Sequence, residues 1–159
     1  MRAIVVYDSV FGNTEQIAQA IKAGLDAQAE AQLLKAQDVS AKSLVNTDLL
    51  VVGSPTRGFQ PTEVVSGLLK GADPNALKDV KVAAFDTRLK ADELKSSAAR
   101  FIVKTGGYAA KRIASQLEKA GGSLVAPPEG FYVEDREGPL KAGELERAAA
   151  WAKELLARL

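Results

Sequence analysis

Residues 3–7 (Ala-Ile-Val-Val-Tyr) and 49–53 (Leu-Leu-Val-Val-Gly) are continuous apolar runs, and 80–85 (Val-Lys-Val-Ala-Ala-Phe) is nearly one. A strand with one wet face alternates apolar and polar residues, so an unbroken run needs cover on both faces. Helices packed above and below a parallel sheet provide that cover. The segments between the runs have the pattern to supply them. Residues 14–28 place Ile17, Ala20, Ile21 and Leu25 on one helical face, and 62–70 follow Pro61, a residue suited to a first helical turn. Residues 107–120 repeat Ala110, Ile113, Ala114, Leu117 and Ala120 at helical spacing, and 141–159 do the same with Leu145, Ala148, Ala152, Leu155, Leu156 and Leu159. Shorter strands are expected at 32–36 and 123–125, the latter resuming at 131–133 beyond Pro127-Pro128. Strand and helix thus alternate in an α/β pattern, which defines a doubly wound parallel sheet with helices on both faces.

Sheets of this kind bind ligands beyond the carboxyl ends of their strands, which directs attention to the loops after Tyr7, Gly53 and Phe85. Composition limits what those loops can do. The 159 residues include no cysteine and no histidine. Disulfides, thiolate nucleophiles, iron–sulfur clusters, Cys-type zinc sites and His-based relays are therefore excluded. A metal site would have to be all-oxygen, and no Asp/Glu run has calcium-loop spacing. Redox or catalytic chemistry would have to come from a bound cofactor. The 21 Lys and Arg balance 20 Asp and Glu, for a net charge of +1, which argues against a nucleic-acid or membrane-surface binder. No stretch approaches the roughly 20 apolar residues that cross a bilayer. The N-terminal run is too short for a signal peptide, so a single cytoplasmic domain spanning 1–159 is expected.

The first loop, Asp8-Ser9-Val10-Phe11-Gly12-Asn13-Thr14, opens a helix. Backbone N–H groups there, backed by the helix dipole, suit an anion, and Ser9, Asn13 and Thr14 add donors. The loop has neither a Gly-Lys-Ser/Thr sequence nor Gly-x-Gly-x-x-Gly, and its hydroxyls could equally cap the helix. In the second, Gly53-Ser54-Pro55-Thr56-Arg57-Gly58-Phe59-Gln60-Pro61, two prolines stiffen the chain and Gly58 permits unusual backbone angles. Arg57 and Phe59 could stack on a planar, electron-rich ligand, or the segment could be a tight βα turn with an exposed arginine. The third begins at Asp86-Thr87-Arg88 and continues to Gly106, with residues 91–104 helical enough to form an excursion. That length suits either ligand contact or an accessory or dimer-forming helix.

These three loops, in this order, resemble the flavodoxin family over nearly the whole chain. Ser9, Gly12 and Thr14 fit the family's Ser/Thr-x-Thr-Gly-x-Thr phosphate loop, with Asn13 in the variable place. Gly53-Ser54-Pro55-Thr56-Arg57-Gly58 stands at the distance of the second flavin loop. The resemblance implies a flavodoxin-like five-stranded parallel sheet in the order 2-1-3-4-5 and FMN as cofactor. It implies that FMN is held by Ser9, Val10, Phe11, Gly12, Asn13 and Thr14, by Pro55, Thr56, Arg57, Gly58 and Phe59, and by Asp86, Thr87 and Arg88. Three departures stand out. Phe11 replaces the middle Thr of the phosphate loop. Arg57 occupies a place where many flavodoxins carry Trp or Tyr, and the sequence there is closer to flavodoxin-like quinone reductases. The third loop lacks the usual nearby tyrosine; Tyr108 could reach in from the following helix, although at a helix start it reads first as a packing or capping residue.

The resemblance implies an electron carrier that works with a redox partner protein, as a monomer or weak homodimer. An FMN-dependent NAD(P)H:quinone oxidoreductase with a small quinone-like acceptor is the alternative, and a flavin-free interaction module with the same fold is a third reading. A phosphorylated receiver domain is excluded, because Asp8 stands alone, an Asp is missing at Gly53 and no Lys follows Val125. By analogy with the family, the peptide after Arg57 would turn on flavin reduction, which Gly58 allows. A guanidinium about 5 Å from the reduced ring would stabilise its charge by about 3 kcal/mol at an effective dielectric near 20. Solvent would cut this to about 1 kcal/mol, still enough to raise the potential by some tens of millivolts.

Overall fold

The structure, a computed structural model, describes residues 1–159 apart from the side chains at positions 105 and 106. Strands β1 (Arg2–Tyr7), β2 (Glu30–Lys35), β3 (Leu49–Pro55), β4 (Lys81–Arg88) and β5 (Ser123–Leu124) pair in parallel in the order β2-β1-β3-β4-β5. A sixth, β6 (Glu129–Tyr132), also pairs with β4. The order is the one expected. The last place in the sheet is split: β5 lies beside Lys81 and Val82, and β6 beside Phe85–Arg88. Pro127 and Pro128 fall in the gap, where their missing N–H groups cost no ladder bond.

Helices α1 (Asn13–Leu25) and α5 (Glu144–Ala157) cover one face of the sheet. Their Ile17, Ile21, Leu25, Trp151 and Leu155 pack on Val5, Val51 and Phe85. On the other face, α2 (Glu63–Lys70) and α4 (Ala109–Lys119) bring Val65, Leu69, Ile113 and Leu117 onto Ile4, Val6, Leu50 and Val52. Successive residues of β1 and β3 therefore enter different cores, which is why both runs are apolar throughout. No helix among the described residues is long and apolar enough to cross a membrane.

The segment after β4 differs from its expected form. Asp86, Thr87 and Arg88 belong to the strand rather than to a loop, because β6 extends the ladder alongside them. The excursion at 91–104 is a 3-10 turn at Ala91–Glu93 followed by α3 (Ser97–Gly106). Ser96 caps α3 by accepting from the Ala99 amide at 3.3 Å.

One close approach sets the carboxyl end of β3. Gly53 lies opposite Phe85 in the ladder, and a Cβ on Gly53 would fall inside the Phe85 ring. That ring is fixed edge-on against Phe131 and Trp151, at centroid distances of 6.2 and 6.4 Å. Gly53→Ala is expected to destabilise the fold by about 1–3 kcal/mol through overpacking. Urea denaturation checks this; a midpoint equal to that of the parent would contradict the close approach.

Candidate functional site

Four connections meet at the carboxyl edge of the sheet and enclose a cavity of about 410 Å³. That volume suits a small-molecule ligand. At one end stands the N-terminus of α1, where the first amides have no carbonyl within the helix to bond. Among the described residues, the amides of Phe11, Asn13 and Thr14 donate to no protein group, while those of Gly12 and Glu15 donate to Ser9 Oγ at 3.1 and 3.3 Å. Ser9 spends its lone pairs on α1 and keeps its O–H for another acceptor. The side-chain amide of Asn13 donates to the Glu137 carbonyl at 3.1 Å, and the Thr14 and Thr87 hydroxyls meet at 2.8 Å. The unspent donors are mostly backbone amides. With the helix dipole behind them, they form an anion-binding end.

The second loop makes a tight reversal. Arg57 and Gln60 exchange backbone hydrogen bonds at 2.9 and 3.0 Å, and the residues between them, Gly58 and Phe59, have φ of 55° and 65°. Two left-handed residues in a two-residue turn match the twist of the flanking chain, a geometry in which glycine is comfortable. A bulky residue at such a φ costs about 1–3 kcal/mol. Phe59 is held there by its carbonyl, which accepts from Arg112 Nε of α4 at 2.9 Å. Arg57 lies over the Phe11 ring, 5.8 Å from its centroid, so the first two loops touch across the cavity mouth.

The third wall depends on Asp86, a residue with no exposed surface. Its carboxylate accepts two bonds from Arg88, at 2.6 and 2.8 Å, and one from the Ala110 amide at 2.8 Å. Thr56 Oγ1 accepts from the Ala109 amide at 3.1 Å. The start of α4 is thereby tied to the ends of β3 and β4, and this places Tyr108 in the cavity wall. Arg88 packs against the Tyr108 ring, 3.9 Å from its centroid, and the phenol donates to the Leu89 carbonyl at 2.9 Å. Burial pushes the Asp86 carboxyl up from its ordinary value, while Arg88 and the Ala110 amide pull it down.

Of the residues singled out from sequence, Val10, Phe11, Asn13, Thr14, Pro55, Thr56, Arg57, Gly58, Phe59, Thr87 and Arg88 line the cavity. Ser9, Gly12 and Asp86 are not in the lining; Ser9 and Asp86 act through the bonds just described. Leu89, Leu94, Tyr108, Val133 and Arg136 also line it. Tyr108 stands at the N-cap of α4 and also lines the cavity, so both of its readings from sequence describe it. Val133 and Arg136 lie after β6, on a fourth loop at the same sheet edge. Extending the strand-end search to residues 131–133 would have found them.

A model of the Flavodoxin family matches residues 5–151. Oxidised flavodoxin 2 from Bacillus cereus superposes with a TM-score of 0.74 at 25% identity, with all of both chains covered. Flavodoxin 1 from the same organism gives 0.77 at 17% identity, covering 100% of this chain and 99% of its own. A flavodoxin from Streptococcus pneumonia TIGR4 gives 0.75 at 18%, with full cover of both. No curated protein matches the sequence. The chain belongs to the flavodoxin family, a class of electron-transfer flavoproteins.

Removing Arg88 isolates the role of its ion pair. Arg88→Met leaves the Asp86 carboxylate buried and unpaired, at an expected cost of about 3–5 kcal/mol near neutral pH. Without the guanidinium, the folded-state pKa of Asp86 rises further above its unfolded value. The folded variant then binds a proton more tightly than the unfolded chain, so acidification should restore part of its stability. Urea midpoints from pH 7 to about 5 check this sign; a deficit that stays constant or grows on acidification would contradict it.

Proposed function

We propose that the cavity holds FMN and that the protein is a one-domain electron carrier. The observation that carries this reading is the set of amides at Phe11, Asn13 and Thr14, which have no partner among the described residues at the α1 N-terminus and abut a slot walled by apolar and planar side chains. An anionic group with a flat, largely apolar ring system fits both halves. When bound, FMN supplies chemistry that this chain lacks, taking up and releasing one or two electrons.

The chain's own groups bind and orient. The α1 amides and the Ser9 hydroxyl would hold the phosphate, with Phe11 contributing an amide where the family pattern has a hydroxyl. Residues 55–59 and Tyr108 would flank the ring. Its electrostatic surroundings would include Arg57, Arg88 and Arg136, all in the cavity wall. Arg88 is already neutralised by Asp86, so Arg57 and Arg136 carry the local positive charge. Arg57 and the length of the segment after β4 point toward the alternative, an NAD(P)H:quinone oxidoreductase. Among the described residues that segment contributes Leu89 and Leu94 before Tyr108, which gives little wall for a second substrate.

The absorption spectrum of protein mixed with FMN and freed of excess tests the reading. A retained visible flavin spectrum at a 1:1 ratio is expected, and a colourless protein would favour a flavin-free module. Steady NAD(P)H oxidation with added quinone, and without a partner protein, would favour the enzyme. In the loaded protein, Arg57→Glu should lower the midpoint potential by some tens of millivolts. An unchanged potential would remove Arg57 from the electrostatics of the site.

A further inference from the structure

Helices α2 and α4 lie side by side over one face of the sheet. Between them, outside the cavity already described, opens a cleft of about 330 Å³ whose lining includes Lys70, Lys111, Arg112 and Lys119 but no Asp or Glu. Among the described residues, none of these four cations forms an ion pair, whereas Lys22, Arg88, Lys141 and Arg147 all do. The chain has 20 acidic residues for 21 basic ones, so carboxylates were available to neutralise the cleft. Those of the same two helices, Glu63 and Glu118, are outside its lining. Four like charges gathered without counter-charge repel one another in the isolated protein, and a complementary surface removes that cost.

The cleft also adjoins the turn of the second loop. Gln60 and Pro61 contribute to its wall. Arg112 belongs to both places, since its Nε holds the Phe59 carbonyl at 2.9 Å and its side chain lines the cleft. The terminal nitrogens of the guanidinium could take a carboxylate without releasing that carbonyl. A partner seated here would rest directly beside the mouth of the cavity, where Val10 and Phe11 are exposed and the Phe11 ring is of a kind enriched at interface centres.

We infer that the α2–α4 cleft is the docking surface for an acidic redox partner protein, whose carboxylates pair with Lys70, Lys111, Arg112 and Lys119. The inference deepens the electron-transfer reading by giving the partner's charge and place. A single-stranded nucleic acid fits less well, because the lining has no aromatic side chain on which a base could stack. A small phosphate compound would leave unexplained why the charges span two helices and reach the edge of the second loop.

The test uses the purified protein with three probes: an oligoglutamate peptide, inorganic pyrophosphate and a single-stranded oligonucleotide. Amide shifts are followed by NMR, with and without FMN. Oligoglutamate is expected to shift residues 60–70 and 111–119 and to bind at least about tenfold more weakly to the Lys70→Glu, Lys119→Glu variant. Its affinity should also fall as salt rises. Lys70→Gln, Lys119→Gln should give a smaller loss in the same direction should charge reversal perturb the fold. Lys153→Glu, on α5, should have little effect. Shifts scattered over the surface, equal losses in the Lys153 variant, or tighter binding of pyrophosphate or the oligonucleotide would overturn the proposal. A protein that fails to retain FMN would undermine the cofactor reading alone and leave this result standing.

Discussion

A carboxylate with no exposed surface is tolerable only when charged or N–H partners replace its water. Asp86 meets that condition with three hydrogen bonds, which between them tie down two different parts of the site. Two reach Arg88, two residues along the same strand, and so fix its guanidinium under the Tyr108 ring. The third reaches the first turn of α4, where a negative charge also suits the helix dipole. With the Thr56–Ala109 bond beside it, this contact orients α4 at its first turn. Further along α4, Arg112 then lies where it can hold the strained Phe59 carbonyl. One buried charge therefore links the second loop, the third wall and the helix that carries three of the four cations of the basic cleft.

Much of this could be read from residues alone, for a definable reason. The apolar runs at 3–7 and 49–53 are local signals, and burial on both faces leaves no other pattern possible. The glycine- and hydroxyl-rich loops at their ends are local too, and eleven of the fourteen residues singled out from sequence line the cavity. What sequence could not give depends on contacts distant along the chain. Asp86-Thr87-Arg88 looks like a loop because the apolar run stops at Phe85; the strand continues only because β6 pairs beside it. Tyr108 reads as a helix cap before it reads as a site residue, because nothing nearby in sequence shows that Thr56 and Asp86 capture the next two amides. The capping alternative covers the bonds of Ser9 to α1, whereas the partners of Asn13 and Thr14, Glu137 and Thr87, lie far along the chain and are invisible from composition.

Charge takes on a second meaning in the folded chain. A net charge of +1 describes no particular surface. Folding sorts those charges, leaving Arg57 and Arg136 at the cavity and, between α2 and α4, four cations without an ion pair among the described residues. Both arrangements would favour electron-rich partners, one at the scale of a ring and the other at the scale of a protein surface.

The α1 amides see only a ligand's anionic group, whereas the rest of the cavity sees its ring. Comparing FMN with riboflavin, which has the same ring and no phosphate, separates the two contributions. Two or more charge-assisted bonds at about 1.5–3 kcal/mol each should make FMN bind at least roughly a hundredfold more tightly. Fluorescence titration of the flavin-free protein with each compound gives the two constants. Riboflavin binding as tightly as FMN, or neither compound binding, would contradict the assignment of this cavity.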